Sequence, residues 1–456
     1  MNPMSRRFWL ATATTSVLAA CAGPAVNPVE QAGRFPPIVF VHGNGDSAAL
    51  WTTTLWRYES EGWPRDRLLA VDLPDPLARD DDTVAQPGRS STAEAAAALA
   101  AEVDALLQRT GAHKVVLVGN SRGGYAIRNY VQNFGGAAKV HKVVLGGTPN
   151  HGVWANAKFR PNNEFNGAGP FLTGLNAPKG ANGDEVTPGV EWMTIRSDHN
   201  DKYAQPDGVW IGARGTPTNV GFDGPALKGA TNIVLPGRDH RETSFHPQSF
   251  ARSFEFITGH APTHTTITPE AHPVLDGRIN DATNHAIVGA TMQIYAVDPA
   301  TGARRGAALL NKTVAGDGRW GPFEASNDAF YEFVIEAPGY AVTHVYRSPF
   351  PRSSKIVHFR PEHLADADKD AAALLLLTRP RGYFGVPRDH IVFDGISPPP
   401  GVPTGVAGVS TSKLKLHSGA GRTVVASFDS GPLHERLAGT AWPAAGNHVV
   451  VLELND

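Results

Sequence analysis

The chain has 456 residues, too many for one ordinary hydrophobic core, so two or three domains are expected. Lysine and arginine number 41 against 43 aspartates and glutamates, a formal net charge of -2, and only 18% of residues are charged. That balance gives no electrostatic footing for nucleic acid or another polyanion as partner. No run after residue 30 approaches the roughly 20 apolar residues of a membrane-spanning helix.

At the N-terminus, Arg6-Arg7 precedes a weakly apolar stretch over residues 8–20, followed by Cys21. The stretch is too short to span a bilayer, and residues 1–21 read as a signal peptide. Ser5-Arg6-Arg7-Phe8-Trp9-Leu10 resembles the twin-arginine export signal. Leu18-Ala19-Ala20-Cys21 resembles the bacterial lipobox, whose cysteine is acylated and becomes the mature N-terminus. The alternative is a plain secretory signal with an incidental cysteine. Cys21 is the only cysteine, which favours lipidation and excludes intramolecular disulfides. The expectation is an exported protein: a periplasmic or outer-membrane-anchored lipoprotein, membrane-attached through Cys21, or a secreted form.

Residues 22–34 read as a tether. From residue 35 the pattern changes to alternating strands and helices. Strands are expected over residues 37–41, 68–71, 115–118, 140–145, 190–195 and 232–235, from bounded apolar runs. Helical spacing marks residues 47–61, with Leu50, Trp51, Leu55 and Tyr58, and also residues 125–134 and 247–258. Ser91-Thr92-Ala93-Glu94 has the form of a capping box opening an Ala/Leu-rich helix that stops near Thr110-Gly111. Strands separated by such helices predict an α/β domain over residues 35–260, a parallel sheet covered on both faces.

After Gly259 the chain changes character. Residues 262–269 look like a linker. Short strand-like runs follow at 291–297, 330–336, 355–359, 423–428 and 448–454, separated by Gly and Pro turns. An all-β C-terminal region is expected, divided into a β-sandwich over 263–361 and a second β module over 362–456, with the alternative that the last segment is part of the same module. A helix-like patch at 365–377 blurs that boundary. The runs Asp276-Gly277-Arg278-Ile279, Gly289-Ala290-Thr291, Gly316-Asp317-Gly318-Arg319-Trp320 and Tyr331-Glu332-Phe333 resemble the transthyretin-like sandwich appended to many secreted enzymes.

The chemistry concentrates in the first domain. Gly119-Asn120-Ser121-Arg122-Gly123 lies between an expected strand and an expected helix, the setting of a nucleophile elbow that exposes Ser121. The pattern alone is weak in a chain with 48 glycines; the strand and helix around it make it specific. Val41-His42-Gly43-Asn44-Gly45-Asp46 leaves the first strand, so the backbone N–H of Asn44 pairs naturally with that of Arg122 as an oxyanion hole. Against this, His-Gly-x-Gly also serves as a simple strand-ending turn. The orienting acid is expected in Ser197-Asp198-His199-Asn200-Asp201; Asp201 is preferred, with Asp198 the alternative, and Asp is favoured in turns in any case. Most of the 18 histidines are expected to be solvated or structural. His240, on the loop after the last strand, is the expected base, with His246 in reserve. No cofactor or metal is expected, because the dispersed histidines and single cysteine lack zinc-type spacing.

With these motifs in place, residues 35–260 resemble the lipase and esterase branch of the bacterial α/β-hydrolases, where the triad order is Ser, Asp, His and Thr148-Pro149-Asn150-His151-Gly152 follows the strand after the elbow. Residues 41–46 are also similar to the opening of a secreted polyhydroxybutyrate depolymerase. The two-part layout is similar to an archaeal lipase with a C-terminal β-barrel. The resemblance implies a serine-dependent carboxylic ester hydrolase acting through an acyl-enzyme on a lipid, a small acyl ester or a polyester. An extracellular polyester (polyhydroxyalkanoate) depolymerase is the alternative, and a non-catalytic binding or adhesion protein the reading of a different class. Asn120 and Arg122 depart from the residues common beside the lipase serine, which weakens the case for long acyl chains. The long connection over residues 151–189 is expected to form a lid or acyl-site wall through Phe159, Phe165, Phe171, Leu172 and Leu175.

Overall fold

The computed structural model describes residues 35–456. The expected signal peptide, Cys21 and the tether lie outside the described residues.

Six strands form one parallel sheet: β1 (Ile38–Val41), β2 (Leu68–Val71), β5 (Val115–Asn120), β6 (Val140–Gly146), β7 (Glu191–Arg196) and β8 (Thr231–Val234), in the order β2-β1-β5-β6-β7-β8. Between β2 and β5 lie two short paired segments, β3 (Leu77–Ala78) and β4 (Arg89–Ser90). Side chains alternate across the sheet. Val39, Val41, Val115, Leu117, Val143 and Leu145 pack under helices Thr92–Thr110 and Arg122–Asn133. Ile38, Phe40, Val116, Val118 and Val144 pack on the opposite face with Tyr58, Phe250 and Phe254 of helices Thr52–Ser60 and Pro247–Thr258. Where both faces are covered, as in β1 and over Val115–Val118 of β5, the strand is a continuous apolar run. The Ser91–Glu94 capping box is formed, and Gly111 ends its helix at φ +66°.

The remainder is strand-rich. A seven-stranded sheet runs β11-β10-β13-β14-β20-β15-β17, and β16-β18-β19 form a second sheet. The large sheet comprises β10 (Thr291–Val297), β11 (Leu310–Thr313), β13 (Phe330–Glu336), β14 (Val342–Arg347), β15 (Ala373–Thr378), β17 (Thr411–Leu416) and β20 (His448–Glu453). The smaller sheet holds β16 (His390–Phe393), β18 (Thr423–Ser430) and β19 (Leu433–Thr440), and β9 (Val274–Leu275) pairs with β12 (Phe323–Glu324).

Three expectations are corrected here. Residue 361 does not separate two sheets, because β14 pairs in parallel with β20 and β20 with β15. The helix-like patch 365–377 resolves into a short 3-10 turn, Asp366–Asp368, and strand β15. The cause is burial of the large sheet on both faces. Leu374, Leu376, Val449 and Val451 enter one core, while Leu375, Leu377, Val450 and Leu452 enter another, so the strand shows no alternation in sequence. The run 355–359 forms no strand and contributes a single bridge, Phe359 to Ile279. Among the described residues no helix is long and apolar enough to cross a membrane.

The β region packs on the α/β domain. Trp56 of helix Thr52–Ser60 is buried in the first β core and donates its indole N–H to Ser353 O at 2.9 Å.

Candidate active site

Ser121 sits between β5 and helix Arg122–Asn133 at φ +52°, ψ −122°, a conformation that a non-glycine residue holds only under surrounding constraint. Two features supply it. The Ser121 N–H donates to Gly146 O at 2.9 Å on the neighbouring strand. A Cβ on Gly123 would stand 2.3 Å from Val41 O, so only glycine lets the helix start press against β1.

Asp201 follows β7 and starts a short turn, its Oδ1 accepting from the Tyr203 N–H at 2.8 Å. His240 Nδ1 lies 3.0 Å from both Asp201 oxygens. A carboxylate only accepts, so Nδ1 carries the proton and Nε2 is left as the acceptor. Among the described residues buried Nε2 has no partner. Ser121, His240 and Asn44 line one cavity of about 240 Å³, together with Trp154, Phe165, Tyr203 and Tyr383. The Asn44 side chain accepts from the Ala78 N–H at 2.7 Å, which fixes the turn. A Cβ on Gly43 would lie 3.2 Å from Ser121 Cβ, so this turn runs directly beside the serine.

The alternatives separate by their partners. Asp198 accepts from the N–H groups of Asn200 at 3.1 Å and Gly237 at 3.0 Å, tying two loops together. Burial works against its charge, but these N–H groups outweigh it and hold the carboxyl below its ordinary value. His246, the reserve base, is occupied elsewhere: its Nδ1 accepts from the Gln248 N–H and its Nε2 faces Arg238 Nη1 at 2.6 Å. Burial, and then Arg238, push it down to about 3. His42 is a structural histidine, with Nδ1 against Gly43 O and Nε2 accepting from the Leu73 N–H.

Of the two unusual neighbours of Ser121, Asn120 borders the cavity and Arg122 does not. Asn120 Nδ2 donates to Ser244 Oγ at 2.8 Å and lies 3.4 Å from His240 O, joining the elbow to the histidine loop. Arg122 forms a buried ion pair with Glu164 and also bonds Pro76 O and the Ser90 side chain. Within the 151–189 connection, Phe165 reaches the cavity, joined by Val153, Trp154 and Asn163. The other expected wall residues do not. Leu172 and Leu175 pack with Tyr125 in a small separate core, Phe171 meets Tyr125 edge-to-face, and Phe159 packs behind Trp154. Sequence reading missed Glu164, Tyr203, Trp154 and Tyr383. Tyr383 lies in Arg379-Pro380-Arg381-Gly382-Tyr383, where charge abruptly follows the apolar run Ala373–Leu377.

Comparison with known proteins adds to this geometry. Residues 38–276, more than half of the chain, match the alpha/beta hydrolase family, and residues 273–364 match the lipase C-terminal domain. Among solved structures the chain is similar to the Bacillus licheniformis lipase BlEst2 in its mature form, at 21% identity over 49% of this chain and 93% of that one, TM-score 0.35. The propeptide form of that lipase is 15% identical over 89% of this chain and 93% of that one, TM-score 0.35. Aspergillus fumigatus lipase B is 14% identical over 51% of this chain and 54% of that one, TM-score 0.34. These likenesses are too distant to carry a functional argument. The family match, laid over a parallel sheet with an elbow serine, does: the chain belongs to the alpha/beta hydrolase family.

Proposed function

We propose that the protein is a serine-dependent carboxylic ester hydrolase. The observation that carries this reading is the contact of His240 Nδ1 with both oxygens of Asp201, beside a cavity that Ser121 and His240 share. As Ser121 Oγ attacks the acyl carbonyl carbon, His240 Nε2 takes its proton, and Asp201 stabilises the imidazolium. The N–H groups of Asn44 and Arg122 hold the oxyanion. His240 then passes the proton to the leaving alkoxide, the alcohol departs, and water attacks the acyl-enzyme with the same base. Free acid leaves and Ser121 is regenerated.

The cavity mouth supports a short or soluble ester over a lipid interface. Asp80, Arg89 and Arg160 line it, and none of the large exposed apolar residues, such as Val84, Phe134 and Val288, does. The test is hydrolysis of p-nitrophenyl esters of increasing acyl length beside a polyhydroxybutyrate suspension. Turnover falling with chain length is expected; clearing of the suspension would instead identify a depolymerase. Export and acylation at Cys21 belong to the same proposal, and mass analysis of the mature N-terminus tests them: an unmodified or absent Cys21 removes the lipid anchor.

A further inference from the structure

Three loops carry the proposed chemistry, and each is gripped by the C-terminal β region. On the oxyanion loop, Arg360 donates to Gly45 O at 2.9 Å and to Asp46 O at 3.2 Å, and Asn284 Nδ2 donates to Asp46 O at 2.9 Å. On the acid loop, the Ala407 N–H donates to Asn200 Oδ1 at 3.1 Å, and Lys202 Nζ donates to Gly408 O at 2.9 Å. These two contacts sit on the residues immediately before and after Asp201.

The base loop is held most firmly. Asp239 and Glu242 bracket His240 in sequence, and their side chains, like that of Arg379, are 0% exposed. Arg379 Nη1 reaches Asp239 Oδ2 at 3.0 Å, and its Nη2 reaches Glu242 Oε1 at 2.7 Å. Arg388 Nη1 adds a bond to Glu242 Oε2 at 2.9 Å, and the Tyr383 N–H donates to Asp239 Oδ2 at 2.9 Å. Arg241 Nη1 donates to Pro380 O at 3.1 Å. Meanwhile the Tyr383 side chain lines the cavity beside Ser121 and His240.

We infer that the β region is part of the active site: Arg379 and Arg388 are positioning residues that hold His240, and the 407–408 backbone holds the Asp201 loop in register with it. This rests on the triad assigned under the proposed function. The alternative is that these contacts only fasten two domains together. Two observations weigh against it. Adhesion is already supplied by apolar burial around Trp56. Buried ion pairs add little net stability over apolar packing, while fully satisfied charged networks fix geometry. The charged contacts fall on the residues flanking Asp201 and His240, where a small displacement is costly to the reaction. The β region is therefore a catalytic-face component, and any role in substrate attachment comes in addition.

The test uses the full-length protein. Arg388→Gln leaves Arg379 bonded to both carboxylates, so each keeps one charged partner. Its kcat on p-nitrophenyl acetate is expected to fall about 10-fold with KM within about twofold, and Arg388→Lys to recover most of the loss. Arg379→Lys keeps the charge but loses the fork that spans both carboxylates, and is expected to lose kcat in the same way. Folded variants with wild-type kcat, or with raised KM and unchanged kcat, would overturn the inference. Failure of the triad reading is distinguishable, since Ser121→Ala would then still turn over the ester.

Discussion

The guanidinium of Arg122 and the carboxylate of Glu164 form a two-pronged ion pair at 2.7 and 2.9 Å, with side chains 5% and 1% exposed. Burial pushes the Glu164 carboxyl up, and Arg122 is the charge that opposes it. The pair ties the helix start after Ser121 to the 151–189 connection that walls the cavity.

Breaking one side of this pair leaves a buried charge alone. Arg122→Met is expected to lower stability by about 3–5 kcal/mol in urea unfolding, while Arg122→Met combined with Glu164→Leu costs markedly less. Equal losses in the single and double variants would show that Glu164 has another partner.

Asp201 and Asp198 separate by function. Asp201→Asn keeps the shape but removes the carboxylate that fixes the imidazole tautomer, so kcat is expected to drop by about 10⁴ with KM little changed. Asp198→Asn disturbs a turn bond and should keep kcat within about tenfold. Steady-state kinetics of the two variants decides the matter, and the reverse ranking reassigns the acid.

Phe165 is the residue of the expected wall that reaches the cavity. Phe165→Ala opens space there, and the ratio of kcat/KM for p-nitrophenyl octanoate over butyrate is expected to rise by up to about tenfold. An unchanged ratio would put the acyl chain against another wall.

His246 links stability to pH. It is neutral in the fold, pushed down to about 3 by burial and by Arg238, whereas the unfolded histidine takes a proton near its ordinary value of 6.5. Below that value the unfolded state binds more protons, so stability is lost as pH falls from about 6.5 toward 3, at up to about 1.4 kcal/mol per unit. His246→Asn keeps an acceptor for the Gln248 N–H and should flatten this slope in urea titrations at pH 4.5 and 7. An unchanged slope would assign the acid sensitivity to other groups.

Much of this was legible from residue patterns, for physical reasons that differ by element. The central strands β1 and β5 are readable because burial on both faces demands uninterrupted apolar runs, as in Val115 to Val118. The same demand makes β15 ambiguous, since Ala373 to Leu377 satisfies a buried helix equally well. Helix Thr92–Thr110 is bounded by a capping box and a left-handed glycine, both local signals. Ser121 is marked by the close glycine spacing its turn requires. The grip of Arg379 on Asp239 is another matter: it joins positions 140 residues apart, and nothing local in either segment encodes the other. Glu164 is hidden likewise, as one carboxylate in a long polar connection until Arg122 is seen beside it.

Every proposed step depends on Ser121 as nucleophile. Intact-mass analysis after treatment with a fluorophosphonate tests it most directly. The wild type is expected to gain one phosphonyl group, mapped to the peptide holding Ser121, in step with loss of esterase activity, and Ser121→Ala to gain none. Equal labelling of Ser121→Ala, or a wild type that hydrolyses esters without labelling, would contradict it.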